Sequence, residues 1–423
     1  MNLKARGRAI VCRILERQVQ RLRARRNFSV VAVAGSVGKT STKAAIARVL
    51  AAGKRVRWQE GNYNHRATVP LIFFGQAAPN ILNVLAWLKV FLQNELALRR
   101  PYPYDVVVVE LGTDSPGFLA EFAYLKPELA VVTAVAPEHM EFFNSLDAVA
   151  EEELAVMDYA EQTLVNIDTV PGKYLRGRKY VSYGVGDKAK YRASRRASKG
   201  LHGQTVEFSL ADEEPFTIDT PLLGEQGVSV ALSAAAAAHS QGLGVDKIKD
   251  GLASVSAFAG RMQVLRGIKN STIIDDTYNS SPVAAKAALD VLYNTDAPQR
   301  IAILGSMNEL GEHSPQAHKE VGKYCDPKKL DLVVTVGSDA EEYLAPEAKK
   351  RGCHVAKFAS PYKAGEMVRE HLKPGAVILA KGSQNRVFAE ESLKTLLASK
   401  KDRAKLVRQS PFWMKIKQKQ FKS

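Results

Sequence analysis

Phe28-Ser29-Val30-Val31-Ala32-Val33-Ala34-Gly35-Ser36-Val37-Gly38-Lys39-Thr40-Ser41 decides how the rest of the chain is read. Its first seven residues form a short apolar run, as in a strand buried on both faces. A glycine-rich turn follows, and then helix-forming residues over about 39–52. Glycine lets the backbone fold round an anion, so that successive N–H groups and a helix N-terminus point at phosphate oxygens. Gly35, Ser36, Val37, Gly38, Lys39, Thr40 and Ser41 are therefore expected to cradle a nucleoside triphosphate. Lys39 would reach the β- and γ-phosphates, and the hydroxyl of Thr40 or Ser41 would ligate magnesium. Val33 stands where the commoner form of the motif has its first glycine.

Working outward, apolar strands alternate with helical segments, as in an α/β fold with a parallel sheet. Tyr104–Glu110 and Leu129–Val135 read as further core strands, and Ser145–Tyr159 as a helix. Residues 172–221 carry short mixed segments that suit an antiparallel edge. The alanine-rich run Val228–His239 is a strong helix former. A boundary falls near 258–262, and beyond it a second α/β unit starts with strand Thr272–Asp275, helix Val283–Leu292 and strand Ile301–Leu304. It continues with strand Leu332–Val336, helix Pro361–Leu372 and strand Ala376–Leu379. The expected fold is a P-loop central ATPase domain with a mainly parallel sheet, plus a smaller Rossmann-like C-terminal domain. Its parts are a basic helix over 1–27, a central domain over 28–259, a C-terminal domain over 260–399 and a basic tail over 400–423.

Charge is concentrated at the ends. Residues 1–26 carry nine Lys/Arg against Glu16, and residues 400–423 carry nine against Asp402. Together they account for the whole excess of +16, and the stretch between is neutral. Three scattered cysteines do not make a disulfide framework or a zinc site, and a reducing cytoplasmic setting is expected. No apolar run is long enough to span a bilayer.

Glu110 ends a run of four valines, at the strand-end position where open α/β sheets bind ligands. It reads as a magnesium ligand or as a solvated strand-end carboxylate. His139 also follows a strand and reads as a metal ligand or as a structural histidine. Arg261 lies at the domain boundary and Asp276 just after a strand. Each suits a nucleotide site completed by domain closure or, failing that, a surface turn.

These residues fall within a series of motifs: GSVGKTS, GNYNHRATVP (61–70), VVVELG (107–112), TAVAPEHMEFFNSLDAVA (133–150), GRM (260–262), DDTYNSSP (275–282) and LGSMNELGEHS (304–314). In this order they resemble the Mur ligase superfamily, and most closely its D-alanyl-D-alanine-adding branch. The resemblance implies an ATP- and magnesium-dependent ligase. In such an enzyme a substrate carboxylate is phosphorylated, an amine attacks the acyl phosphate, and an amide results. It implies a muramoyl-peptide-like acceptor, soluble or lipid-linked, and an amino acid or dipeptide as the amine. It places Thr40 and Glu110 on one magnesium and Glu110 and His139 on a second, with Lys39 and Arg261 at the γ-phosphate. Asp276 would sit at the ribose and hinge, and Asn62 and Asn64 near the phosphates and acceptor. Asn308, Glu309 and the Lys381-Gly382-Ser383 turn would lie near the amine.

Three departures accompany the likeness. Only 27 residues precede the first strand, so the family's domain for the uridine nucleotide end of the acceptor is not expected. Glu153 stands where the family carries a carbamylated lysine. It reads as a permanent carboxylate for the second magnesium or as part of a solvated Glu151-Glu152-Glu153 face. Gly224-Glu225-Gln226-Gly227-Val228-Ser229-Val230 replaces the family's G-x-H-N-x-x-N run, whose asparagine meets adenine, which leaves Gln226 as the side chain able to compensate. The same departures admit a nucleotide-binding partner subunit without turnover of its own.

At the termini, Val11, Leu15, Val19 and Leu22 recur at helical spacing among arginines, and Pro411–Lys417 mixes aromatic, aliphatic and basic residues. Both suit an anionic membrane surface at the inner face of the membrane. In the alternative reading the first helix packs on the core and the tail is solvated. No motif supports specific nucleic-acid recognition.

Overall fold

The valine-rich runs of the sequence become the middle of a sheet because neither of their faces suits water. The computed structural model describes residues 3–59, 63–80, 82–113, 115–137 and 140–421. Its first strands are β1 (Ser29–Ala34), β2 (Val56–Arg57), β3 (Val106–Glu110), β4 (Leu129–Val132) and β5 (Gln162–Asn166). They are followed by β6 (Val181–Gly184), β7 (Tyr191–Ser198), β8 (Gln204–Ser209) and β9 (Phe216–Thr220). These nine strands form one sheet in the order β2-β3-β1-β4-β5-β6-β7-β8-β9. Pairing is parallel from β2 to β7 and antiparallel from β7 to β9, so the antiparallel edge expected for 172–221 begins only at β7, and β6 pairs in parallel on both sides.

Helices α1 (Leu3–Arg25), α2 (Lys39–Leu50), α3 (Val69–Phe74), α4 (Val84–Leu98), α5 (Leu146–Leu154), α6 (Gly224–Ser240) and α7 (Val245–Ser254) cover this sheet. Alternation along the strands assigns them to faces. Val31, Val33, Val106 and Val108 pack with α2, α6 and α7. Val30, Ala32, Val107 and Val109 pack with Val19 and Leu22 of α1 and with Ile72 and Phe73 of α3. The segment expected as one helix over Ser145–Tyr159 is α5 followed by a 3-10 turn, Ala155–Asp158.

The second sheet comprises β10 (Gln263–Arg266), β11 (Thr272–Asp276), β12 (Arg300–Gly305), β13 (Leu332–Val336), β14 (Val355–Phe358) and β15 (Val377–Lys381), in the order β10-β11-β15-β12-β13-β14. Only β10 is antiparallel. Its helices are α8 (Pro282–Tyr293), α9 (Ser314–Tyr324), α10 (Ala345–Lys350), α11 (Pro361–His371), the short α12 (Glu390–Leu393) and α13 (Pro411–Gln420).

α1 follows the reading that packs the first helix on the core, while the tail departs from the one that left it solvated. The apolar stripe of α1 is covered by protein: Leu15, Val19 and Leu22 are fully buried, Leu15 against Leu71, Trp87 and Val90. The basic tail is anchored by charge. Lys417 Nζ lies 2.7 Å from both Glu390 and Glu391, all three without exposed side-chain surface. Arg408 pairs with Glu390 at 2.7 Å and donates to the carbonyls of Thr277 and Tyr278. Burial pushes the Glu391 carboxyl up, but hydrogen bonds from Lys394 and Lys417 outweigh it and hold it below its ordinary value. Two adjacent buried carboxylates require buried cations, and the C-terminal segment supplies them.

Two stability predictions follow from these buried charges. Replacing Lys417 by Met strips a shared cation from Glu390 and Glu391. It is expected to cost about 3 kcal/mol in urea unfolding, the scale for breaking a buried pair. Asp275 is fully buried at the end of β11, and one of its oxygens accepts from the Thr277 N–H and hydroxyl. Burial pushes its pKa up to about 7, against the pull of those hydrogen bonds. Between about pH 4 and pH 7 the folded chain holds a proton that the unfolded chain has lost, so this group's contribution falls as pH rises through that window. Asp275→Asn should raise the thermal midpoint above wild type at about pH 8, with the gap closing at about pH 4.

Candidate active site

The C-terminal ends of β3, β1 and β4 lie side by side, and each delivers part of one site. β1 runs into the glycine turn, where Gly35 has φ 116° and Gly38 φ 90°. A Cβ on Gly35 would stand 2.4 Å from Thr133 Oγ1 and 2.8 Å from the Ala134 nitrogen, so the loop passes β4 only because this residue is glycine. The loop is tied to the segment after β4 by the Ser36 N–H donating to the Ala134 carbonyl (2.9 Å) and the Ala136 N–H donating to Ser36 Oγ (3.1 Å).

Glu153 sits beneath this turn. It is 2 % exposed, accepts the Gly35 N–H at 2.7 Å and lies 3.7 Å from Lys39 Nζ. The solvated Glu151-Glu152-Glu153 face is therefore corrected, and only Glu151 is exposed. Glu152 is turned inward, accepting from the Thr113 hydroxyl and from the N–H groups of Gly117 and Leu119. Helical spacing of about 100° per residue explains why three consecutive glutamates meet three environments.

Lys39 also donates to the Ser36 carbonyl at 3.3 Å. Thr40 Oγ1 donates to Glu110 Oε1 at 3.1 Å, and Lys43 Nζ stands 3.1 Å from the other Glu110 oxygen. Glu110 is 2 % exposed, which excludes the solvated strand-end reading. Lys43 went unnoticed in the sequence. Its spacing from Lys39, one helical turn, is the signal that could have found it. Val37 and Ser41 complete the loop and the first turn of α2. Beside them Asn64 packs against Gly112, whose N–H donates to the Asn64 carbonyl at 3.1 Å. The Asn64 Oδ1 atom is buried without a hydrogen-bond partner among the described residues. Asn62 and His139 lie outside the described residues.

The second sheet reaches the same place through its first linker. Arg261 stacks on Tyr278 with its guanidinium 4.2 Å from the ring centre, and its Nη2 is 3.5 Å from Thr40 Oγ1. Asp276, expected at the ribose and hinge, makes two contacts within the protein. One of its oxygens accepts the Met262 N–H at 3.2 Å, and the other accepts Lys381 Nζ at 2.6 Å in a buried ion pair. It thus braces the linker that carries Arg261. Lys381 also donates to the Asn279 carbonyl, the Ser383 hydroxyl to that of Ser280, and Asn308 Nδ2 to that of Asn385. Loops after β11, β15 and β12 are thereby knitted into one edge. Glu309, Asn385, Arg386 and Phe388 hold positive φ there, a concentration of backbone strain typical of binding loops.

The altered run at 224–230 opens α6. A Cβ on Gly227 would lie 2.8 Å from the Leu222 carbonyl carbon, so no larger side chain fits, and Val230 packs against the core. Gln226, with Leu223 and Gly224, lines a cleft facing Met262 and Val291.

The donors present suit a magnesium nucleotide. The glycine turn leads into the N-terminus of α2, next to a hydroxyl and a carboxylate 3.1 Å apart, which are hard oxygen ligands. Among the described residues no cluster of three or more His, Cys, Asp or Glu side chains forms. Such an ion would share its shell with phosphate and water.

The profile of the Mur ligase middle domain matches residues 33–238, and that of the Mur ligase glutamate ligase domain matches residues 260–384. The UDP-N-acetylmuramoyl-tripeptide–D-alanyl-D-alanine ligase of Bacillus subtilis (strain 168) is 28 % identical over 383 residues, 88 % of this chain and 76 % of its own. That of Escherichia coli (strain K12) is 28 % identical, over 85 % and 75 %. Among solved structures, MurF from Thermotoga maritima in complex with ADP superposes with a TM-score of 0.73 at 22 % identity, covering 91 % of this chain and 83 % of that one. The Mycobacterium tuberculosis folylpolyglutamate synthase gives 0.64 at 17 %, covering 93 % and 98 %. The chain belongs to the Mur ligase family, carrying its middle domain on the nine-stranded sheet and its glutamate ligase domain on the six-stranded one.

Proposed function

We propose that this chain is an ATP-dependent carboxylate–amine ligase that adds D-alanyl-D-alanine, or a related amino acid or peptide, to a muramoyl-peptide-like acceptor. The observation that carries this reading is Arg261 of the interdomain linker, 3.5 Å from the Thr40 hydroxyl at the head of the phosphate loop. Phosphoryl transfer needs positioning and charge compensation more than covalent help from the protein. Lys39 would supply positive charge from the loop and Arg261 from the linker, and the loop N–H groups would hold the phosphate chain. The activated carboxylate would then meet an amine held by the loops after β11, β12 and β15.

Thr40 and Glu110 would hold one magnesium ion, and Glu153 with Glu110 and His139 a second. Bound magnesium would neutralise and align the transferring phosphate. Lys43 compensates Glu110 within the protein. Asp276 would keep the linker in register so that Arg261 reaches the loop. Gln226 is the side chain nearest in sequence to the replaced adenine contact. Such an enzyme would work on the cytoplasmic side, where ATP is available.

A second reading, a nucleotide-binding subunit without turnover, is favoured by Gly227 and Val230, which offer adenine no side-chain hydrogen bond. Phosphate release in the presence of muramoyl-tripeptide acceptors and D-alanyl-D-alanine separates the two. Turnover is expected, and Lys39→Ala should lower it by at least about 100-fold. Nucleotide binding with no turnover on any acceptor would leave the subunit reading standing. Glu153 is tested by a pair of variants. If its charge serves a metal, Glu153→Gln loses as much activity as Glu153→Ala. If it only accepts the Gly35 N–H, the glutamine variant retains most of it.

A further inference from the structure

Helix α4 carries an apolar stripe that the other described residues leave uncovered. Leu85, Leu88, Leu92 and Leu96 recur at helical spacing and are 79, 50, 65 and 53 % exposed, with Leu82 and Val84 continuing the stripe before them. The opposite side of α4 is fixed in place. Trp87 and Val90 pack on Leu15 and Leu71, and buried Asn94 donates to Gln18. The leucines therefore sit on a firmly held helix and are not a displaced piece of core.

Alongside runs α1. Leu15 packs with Trp87 and Val90, Gln18 donates to the Phe91 carbonyl and to Glu95, and Arg21 pairs with Glu95. Contacts advancing together along both helices make them parallel neighbours. One side of α1 exposes Ile10, Arg13 and Arg17, and α4 adds exposed Lys89. Arg13 and Arg17 stand on the turns before Arg21, which is tied to Glu95 of α4, so exposed arginines of α1 border the helix that carries the leucines. The C-terminal cations differ, since Lys417 and Arg408 are consumed by Glu390 and Glu391.

We infer that the α1–α4 face docks the enzyme on an anionic lipid bilayer, with the α4 leucines entering the interface and the α1 arginines meeting headgroup phosphates. The chemistry of the two helices selects this occupant. Leucines on a convex helix surface suit shallow insertion into a headgroup layer, and long basic side chains beside them reach phosphate while covering apolar surface. A second copy would set one group of arginines against another. The helix that meets lipid is α4, while the apolar stripe of α1 serves as its support. This surface is separate from the phosphate loop, so the inference stands or falls independently of the ligase reading.

Flotation of the full chain with vesicles tests it. The protein is expected to float with phosphatidylcholine–phosphatidylglycerol vesicles and to remain below with phosphatidylcholine alone, with binding weakened by salt. Leu88→Glu with Leu92→Glu should lower vesicle binding at least about tenfold. Arg13→Glu with Arg17→Glu should lower it and flatten its salt dependence. Both pairs are exposed, so circular dichroism and the thermal midpoint should match wild type, and phosphate release on soluble acceptor should be unchanged. No flotation with anionic vesicles, or equal flotation of the leucine variant, overturns the inference. So does a concentration-dependent dimer in sedimentation that the leucine variant dissolves while vesicles bind neither form.

Discussion

The hydrogen bond from the Gly35 N–H to Glu153 Oε2, 2.7 Å long and sealed from solvent, is the constraint round which the nucleotide site is arranged. It connects β1 to α5, and so joins the loop to the element that follows the β4 segment. Because Gly35 is pressed against Thr133 and Ala134, the loop has no freedom to shift sideways. Thr40 then falls opposite Glu110, and Lys43 falls behind it. A carboxylate buried this deeply is tolerable only with a charged or hydrogen-bonding partner on each side. The loop N–H, Lys39 and Lys43 are those partners for the two glutamates.

A second set of buried charges holds the hinge. Asp276 takes the Met262 N–H and the Lys381 ammonium, while Arg408 donates to the carbonyls of Thr277 and Tyr278 and pairs with Glu390. The linker carrying Arg261 is thus clamped from β15 and from the C-terminal segment. Residues more than 100 positions apart in sequence cooperate to aim one guanidinium at one hydroxyl. The C-terminal tail accordingly belongs to the architecture of the site as well as to the stability of its domain.

Legibility in the sequence followed the range of the interactions concerned. The glycine loop, the strands at 104–110, 129–135 and 332–336, and the alanine-rich helix were visible because period and local propensity specify them. The strands at 263–266 and 355–358 were missed, being short and only partly buried, with little local pattern. Glu153 could be located by counting from the His motif, but its turn toward Gly35 could not. Lys43 stood at a readable spacing and was overlooked. The replacement of a polar run by Gly227 and Val230 reads in the sequence as a lost adenine contact that Gln226 could compensate. The fold adds that Gly227 sits against the Leu222 backbone, where no side chain fits.

By itself the sequence determined the phosphate loop, the parallel-sheet class, the order of the family's motifs and the concentration of positive charge at the two ends. Those properties are carried by neighbours in the chain, so local pattern reveals them. Only tertiary structure decided which charges are free. Lys417 and Arg408 look like any tail cations until Glu390 and Glu391 are folded against them. The apolar residues of α1 look membrane-ready until α3 and α4 cover them, and the leucines of α4 look like core until α4 spends only one side on α1. Burial is a property of what the rest of the chain brings alongside, and a helix cannot announce in its own sequence which of its faces will be met.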